Sequence, residues 1–447
     1  MQPAELDVVD ETTGVLQELI RNACVNDGAP ESGQESRNAA VLRDLLESAG
    51  LPTVTFEPLP GRQSLLARLE GRDPHGPTLL LIGHSDVVPV SPAGWSRDPF
   101  GGELVDGWVW GRGAIDMLNL TASMAVATRR LAASGWRPRG TLAFLAVADE
   151  EAGGTHGAGW LVEHAAGAVR ADYVLTESGG VPLSTPQGTR LLTFVGEKGA
   201  QWRRITVRGR AGHGSRPLRT DNALVKAAEV VRRLASFQPR PLISDAWRQA
   251  VPLMGFDEDL AAALVDPGRI AAAIDELPDE MARTAHASTH LTVAPTVVHG
   301  GAKTNVIPDR VVLEVDMRTV PGQTAGDVEE LLRAALGPLL DEIEVTPIQR
   351  DDASVSDLRS PLWEALARVT TRLRPGATLL PSLAPGGTDA RFFRRLGIPA
   401  FGFGLFSDRM SLAEWTRMFH ADDERVDQDS LRLSVAAWDG VARDLLS

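Results

Sequence analysis

The sequence predicts an α/β protein in which an αβα-sandwich domain is interrupted by a smaller, ferredoxin-like α+β domain. Three observations support this fold. Short, wholly apolar runs alternate with helical segments up to Gly196, the pattern changes after it, and the alternation returns near residue 352. Apolar strands separated by helices are typical of a parallel sheet covered on both faces. We therefore expect residues 1–196 and 352–447 to form one domain and 197–351 to be an insertion.

The first segment contains the elements of the predicted sandwich. In residues 35–50, apolar side chains recur at helical spacing and Gly50 stands where a helix would close, so an amphipathic helix is expected to open the fold. Three apolar runs follow that are short enough to be buried strands, separated by two helical patterns: strands at 78–82, 141–148 and 173–176, and helices at 121–133 and 157–165.

The middle segment changes from this pattern to a mixed one. Its predicted order is β-α-β-β-α-β, with strand-like or helical residues at 202–207, 223–234, 311–317, 325–336 and 343–348. Residues 241–290 are Ala-rich and acidic and are broken by prolines, which predicts short helices before the next strand. The last segment resumes α/β elements at 362–373, 388–396, 400–405 and 431–445.

Composition excludes several classes of protein. The chain has 447 residues, 23% of them charged, and a net charge of −14, which would repel nucleic-acid phosphates. No apolar run is long enough to span a membrane, so neither nucleic acid nor a bilayer is an expected partner. The single Cys24 permits no intramolecular disulfide, and residues 1–24 lack the apolar core of a signal peptide, so a cytoplasmic location is expected.

Metal-ligand side chains end or interrupt the apolar runs. His84 and Asp86 are two residues apart, so on an extended chain both side chains leave the same face. A metal-bound imidazole usually donates its other ring N–H to a carboxylate, which would make His84 the ligand and Asp86 its orienting group. Asp86 could instead cap the following turn. Asp116 follows two flexible glycines and could bridge two cations, or could be a helix N-cap.

Further acids lie at the ends of the next two runs. Glu150 and Glu151 are adjacent, and consecutive side chains diverge, so one can bind a metal while the other acts as general base. A solvated acidic loop is the alternative. Glu177 ends the next run, close to two glycines. His420, near the end of the sequence, is the second histidine of the set. Imidazoles with carboxylates suit Zn²⁺, while Co²⁺ and Mn²⁺ remain possible. The whole set predicts a two-metal hydrolase centre.

Ten motifs in order carry a resemblance to a known family: GHSDVVP, GRGAIDM, ADEEAGG, TESGG, GEKG, GHGSRP, TNVIPD, DMRT, GGTDARFF and FHADDERV. The chain resembles the zinc-dependent amidohydrolases that include aminoacylase, carboxypeptidase G, acetylornithine deacetylase and succinyl-diaminopimelate desuccinylase. The resemblance implies two Zn²⁺ per subunit. Asp116 would bridge them, with His84 and Glu177 on one and Glu151 and His420 on the other. Glu150 would be the base.

The resemblance also assigns roles to the inserted domain. It implies a lid that serves as the surface of a homodimer, with His213 reaching an active site, often that of the other subunit, to stabilise the oxyanion. Asn305 and Arg318 of this domain would hold a substrate carboxylate, a group that a guanidinium fits well, and Gly387 of the last segment would offer its main-chain N–H to the same group. From the residues alone, His213 and Gly387 could be turn residues and Arg318 a surface charge.

The expected function is hydrolysis of an amide or peptide bond next to a free carboxylate. The substrate would be an N-acyl amino acid or a short peptide, cleaved by a deacylase, dipeptidase or carboxypeptidase. Two alternatives stay open: hydrolysis of a carbamoyl or other non-peptide C–N bond, and a metal-stabilised binding protein without catalysis. The sequence does not fix the acyl group, the amino acid or the role of the 241–290 segment.

Overall fold

The computed structural model of the protein describes residues 3–447, so only the first two residues of the predicted 1–196 segment lie outside it. Up to residue 197 the chain forms four helices, α1 (Pro3–Arg21), α2 (Ser36–Glu47), α3 (Leu118–Ala133) and α4 (Ala158–His164). Nine strands accompany them: β1 (Thr53–Phe56), β2 (Ser64–Leu69), β3 (Thr78–His84), β4 (Glu103–Val105), β5 (Trp108–Trp110), β6 (Thr141–Val147), β7 (Tyr173–Thr176), β8 (Gly179–Thr185) and β9 (Gly188–Glu197).

The middle segment contains both strands and short helices. In chain order it forms β10 (Gly199–Ala200), β11 (Arg203–Arg208), β12 (Gly212–His213), α5 (Ala223–Ser236), α6 (Asp245–Ala250), α7 (Glu258–Leu264), α8 (Ile270–Asp275), α9 (Asp279–Thr289), β13 (Thr292–Gly300), β14 (Val306–Ile307), β15 (Arg310–Thr319), α10 (Ala325–Leu336) and β16 (Ile343–Pro347). The short helices expected in residues 241–290 are therefore confirmed, as α6 to α9.

The last segment returns to the first sheet. It forms β17 (Ser354–Val355), α11 (Pro361–Leu373), β18 (Thr378–Ala384), α12 (Ala390–Arg394), β19 (Ala400–Gly402), α13 (Leu412–Met418), β20 (Arg425–Asp427) and α14 (Gln428–Leu446). Among residues 3–447, no helix is long and apolar enough to cross a membrane.

The main sheet has ten strands in the order β1-β2-β6-β3-β7-β19-β9-β17, with β8 and β18 also pairing with β9. Its centre is parallel: β3 pairs in parallel with β6 and β7, and β7 with β19. Alternate side chains of β3 face opposite layers, because Leu79 and Leu81 pack with α3 and α14 while Leu80 and Ile82 pack with α4 and α12. The expected α/β sheet, apolar on both faces, is present.

A separate five-stranded antiparallel sheet lies in the middle segment. Its order is β10-β15-β11-β16, with β13 on the other side of β15. Helices α5 and α10 cover it with a core of their own, which includes Val230, Leu313 and Leu332. The helices α6 to α9 form another apolar cluster around Trp247 and Leu264.

One expectation about the fold was wrong. Helix α2 lies where the 35–50 pattern predicts it, but α1 precedes it and opens the fold. Asp7, Asp10 and Glu18 of α1 are exposed. Leu16, Leu19 and Ile20 are instead fully buried against the main core. A narrow apolar stripe among many acids gives a weak helical pattern, which only tertiary packing makes stable.

Trp438 anchors the helical layer that supports the sheet. Its ring is fully buried against Phe403, with centroids 6.0 Å apart, and its Nε1 donates to Ser123 Oγ at 2.9 Å. We predict that Trp438→Ala lowers the free energy of unfolding by about 3–5 kcal/mol, because it leaves a large cavity. Urea denaturation measures this. Val54→Ala, at an exposed position of β1, should change stability by less than about 0.5 kcal/mol, and equal losses in both variants would contradict the prediction.

Candidate metal centre

Three parallel strands bring the predicted ligands to one edge of the main sheet. His84 is the last residue of β3, Glu177 directly follows β7, and Glu150 and Glu151 form a short 3₁₀ turn after β6. Because β3 lies between β6 and β7, the carboxyl ends of the three strands are neighbours. Two of these loops contain residues in the left-handed region, Asp149 with φ 71° and Ser178 with φ 67°. Such backbone is uncommon outside glycine and often occurs at functional sites.

His84, Asp116 and Glu177 form one cluster of possible metal ligands. The ring Nε2 of His84 lies 3.2 Å from Asp116 Oδ1 and 3.7 Å from Glu177 Oε2. All three side chains are buried. Asp116, Glu151 and His420 form a second cluster, in which His420 Nε2 lies 3.2 Å from Asp116 Oδ2 and 3.3 Å from Glu151 Oε2.

The two clusters share Asp116, one oxygen facing each histidine. In each of them the ligand atoms all lie within 4.8 Å of one another. The geometry therefore brings together the five residues that the sequence predicts as metal ligands.

The charge of this region fits bound cations. Glu150, Glu151 and Glu177 lie with Asp116 in a region where burial raises the pKa of Glu177 to about 8 and the pKa of Glu150 well above its ordinary value. Hydrogen bonds to Asp116 and Glu151 raise the pKa of His420 to about 10. Glu151 Oε1 is buried and has no hydrogen-bond partner among the described residues. Carboxylates packed this closely need positive charge, which two divalent ions would provide.

Asp86 holds the loop of the two glutamates. The Nδ1 of His84 contacts the main-chain oxygen of Asp86 at 2.9 Å, whereas the Asp86 carboxylate lies 3.6 Å away. That carboxylate instead accepts the N–H groups of Glu150 at 3.3 Å and Glu151 at 3.1 Å, and the Nδ2 of Asn26 at 2.8 Å. The sequence predicts an orienting group for His84. In the structure the main-chain carbonyl is nearer to the ring, and the carboxylate fixes the neighbouring turn.

A cavity of about 680 Å³ opens onto the clusters. Of the residues expected to bind a substrate carboxylate, Arg318 and Gly387 line it. Arg318 donates to Asp316 and, through Nη1, to the carbonyl of Pro385 at 2.7 Å. A Cβ at Gly387 would lie 3.1 Å from Nη1 of Arg391. The guanidinium of Arg391 donates to the carbonyl of Thr388, next to Gly387, and to the carbonyl of Gly153, close to Glu151. A volume of this size suits a small ligand.

His213 and Asn305 lie away from this cavity. Strand β12, which ends in His213, pairs with β14, and Asn305 directly precedes β14. Both residues are exposed, and neither is among the described residues that line the cavity. Ser215 Oγ lies 2.8 Å from His213 Nδ1. Within one subunit the structure does not bring them to the metal ligands.

The model of the peptidase family M20/M25/M40 matches residues 80–444. The chain belongs to this family. It is 27% identical over 392 residues to aminoacylase-1 of Sus scrofa, covering 87% of this chain and 84% of that protein. It is 29% identical over 368 residues to succinyl-diaminopimelate desuccinylase of Phenylobacterium zucineum, covering 81% and 82%. The resemblance predicted from the motifs is confirmed, and the protein is a hydrolase.

Solved structures show the same M20 fold. An M20-family metallo-carboxypeptidase from Sulfolobus solfataricus matches with a TM-score of 0.74 and 20% identity, covering 98% of this chain and 99% of that one. A dinuclear metal-binding M20 peptidase from Bacillus subtilis matches with a TM-score of 0.62 and 17% identity, covering 98% and 99%.

Glu424 is a buried residue beside the ligand clusters that the sequence did not identify. It is fully buried and accepts hydrogen bonds from Arg112 and from the N–H groups of Gly113, Ile115 and Asp116, at 2.6 to 3.0 Å. It therefore fixes the loop that presents Asp116. In the sequence it follows two other acids of FHADDERV, and nothing there distinguishes it from them.

We predict that Glu424→Gln weakens metal binding about 10- to 100-fold. The NH₂ group of the amide cannot accept the hydrogen bonds that one carboxylate oxygen accepts, so the loop that positions Asp116 becomes less well fixed. Competition with a chromophoric chelator measures the affinity. Glu276→Gln, an exposed change on the insert, is the matched control and should keep normal affinity. Normal metal binding in a folded Glu424→Gln variant would contradict the proposed role of Glu424.

Proposed function

We propose that the protein is a two-zinc hydrolase that cleaves an amide or peptide bond next to a free carboxylate. Its substrate would be an N-acyl amino acid or a short peptide. The observation that carries this proposal is the pair of ligand clusters sharing Asp116 on a cavity that also contains Glu150 and Arg318. The family supports amide or peptide hydrolysis, and the basic side chain supports an anionic substrate.

His84, Asp116 and Glu177 would hold one ion, and Asp116, Glu151 and His420 the other. The mixture of imidazole and carboxylate ligands suits Zn²⁺. Bound divalent ions would supply Lewis-acid polarisation of the scissile carbonyl. Because Asp116 directs one oxygen to each histidine, it is the residue suited to bridge the ions.

Glu150 is the proposed general base and acid. It lines the cavity, belongs to neither ligand cluster and follows Asp149, whose left-handed backbone sets the turn. Its carboxylate would accept a proton from the attacking water as the oxygen bonds to the carbonyl carbon. The same proton would pass to the amide nitrogen as the C–N bond breaks, leaving an acid and an amine.

The carboxylate of the substrate would lie near Arg318 and Gly387. Arg318 supplies positive charge at the cavity wall, and Gly387, which also lines the cavity, would offer its main-chain N–H to the ligand. Asn305 would join them from the other subunit, since it does not line the cavity of its own chain.

We also propose that residues 197–351 form an inserted lid through which two subunits pair. His213 of the partner subunit would then stabilise the oxyanion. The exposed positions of His213 and Asn305 support this arrangement, as does strand β13, which lies at the edge of the five-stranded sheet with Val297 and Val298 exposed. Such an edge is suited to cover by another chain.

We predict that Glu150→Gln lowers kcat about 10²- to 10⁴-fold while the metal content stays normal, since the amide cannot take the proton. Steady-state kinetics with elemental analysis measure both quantities. Glu163→Gln on α4 changes an exposed glutamate in the same way and should keep full activity. Near-normal turnover by a metal-loaded Glu150→Gln variant would rule out this role for Glu150.

A substrate panel tests the proposed bond class. Release of free amine should be seen with N-acyl amino acids or dipeptides, should stop after chelation and should return when Zn²⁺ is added. Preference for N-carbamoyl amino acids would show that the enzyme hydrolyses a carbamoyl C–N bond rather than an amide or peptide bond. Bound metal without turnover of any compound would instead favour a binding protein.

A further inference from the structure

Lys198 is a buried basic residue that the proposed chemistry does not use. It directly follows β9, lines the same cavity as Arg318 and is only 4% exposed. Lysine is rare in this chain, accounting for three of its 45 basic residues. Arginine is the usual choice for buried ion pairs, whereas lysine offers a compact charge with three N–H donors.

The ammonium of Lys198 is held by main-chain oxygens of the 241–290 insert. Its Nζ donates to the carbonyl of Ala287 at 2.7 Å and to that of His290 at 2.8 Å, both at the C-terminal end of α9. The dipole of a helix favours a cation at this end. Among the described residues, no carboxylate lies within 4 Å of Nζ and no third hydrogen-bond acceptor is present.

The surroundings leave this charge without a full counter-charge. Burial, together with the nearby charge of Arg318, lowers the pKa of Lys198 to about 7, although Asp316 partly opposes them. Burial also lowers the pKa of His290 to about 4 and that of His286, so neither stacked ring supplies a competing charge at neutral pH. Burying an unpaired ammonium costs free energy, which an anionic ligand would recover.

Arg318 cannot bind an anion alone without giving up contacts. Its Nε and Nη2 donate to the Asp316 carboxylate, and its Nη1 donates to Pro385. Asp316 therefore offsets much of the guanidinium charge. Lys198 has a spare N–H and no such partner.

We propose that Lys198 is a substrate-binding residue that receives the substrate carboxylate together with Arg318. This inference rests on the proposed function, because it takes the carboxylate next to the scissile bond as the ligand. It also gives the 241–290 insert a role as the scaffold that holds the ammonium at the cavity. The insert is fixed to the main sheet, since Arg190 Nε donates to the carbonyl of Leu253 at 2.9 Å and Ala246 packs into the main core.

Kinetics on matched substrates test the proposal. The best substrate of the panel is compared with its carboxamide analogue, which keeps the scissile bond and lacks the charge. Lys198→Met should raise KM for the acid about 10- to 100-fold and leave KM for the carboxamide nearly unchanged. Lys198→Arg should recover part of the difference. Lys226→Met, on a surface helix, should leave KM unchanged for both substrates.

Other outcomes separate the possible failures. Equal losses on both substrates, with a lowered melting temperature, would show that Lys198 only anchors the insert and would overturn the proposal, as would unchanged kinetics. Wild-type protein that cleaves no panel compound would contradict the proposed function instead. The role of Lys198 can then be tested without turnover, by measuring how fast an amine reagent acylates Lys198 in the Glu150→Gln variant. N-acetyl amino acids should slow this acylation, and their carboxamides should not. Equal labelling with both would overturn the assignment.

Discussion

The structure of the site depends on one electrostatic constraint, the close packing of carboxylates at the carboxyl ends of three parallel strands. Strands β3, β6 and β7 are apolar on both faces, so they position His84, the Glu150–Glu151 turn and Glu177 rigidly. Asp116 lies between the two histidines. Negative charge gathered in a buried place is unfavourable unless cations neutralise it. The fold supplies the ligand cage, and the metals would supply the stabilisation.

A second group of buried charges fixes the loops that present these ligands. Asp86 binds the main chain of the Glu150–Glu151 turn, and Glu424 binds the loop before Asp116. Arg62 performs a similar task near the turn, where it pairs with Glu35 at 2.7 Å. Carboxylates that accept several N–H groups form strong, directional contacts, so each loop has one preferred position. The ligands are therefore held by hydrogen bonds as well as by the strands.

The sequence predicts the central strands from their apolar runs. It predicts all five proposed metal ligands because such side chains recur in the set and lie in ten motifs found in order, although each of these residues alone is ambiguous. It does not predict helix α1, since the apolar stripe of this helix is narrow and packing against the rest of the chain stabilises it. The roles of Glu424 and Lys198 are not predicted for another reason. The sequence pattern around an acid or a lysine in a loop is the same whether the side chain is exposed or buried. The roles proposed for His213 and Asn305 would require a second subunit, and no local pattern in the sequence predicts how two subunits would pair.

The claim on which the rest depends is that two metal ions share Asp116. Crystals of the metal-loaded protein, with anomalous scattering recorded on both sides of the zinc absorption edge, test it most directly. We expect two zinc peaks about 3.5–4 Å apart, with one oxygen of Asp116 directed at each. A single peak, or two peaks with Asp116 bound to only one, would contradict the two-metal centre proposed for this protein.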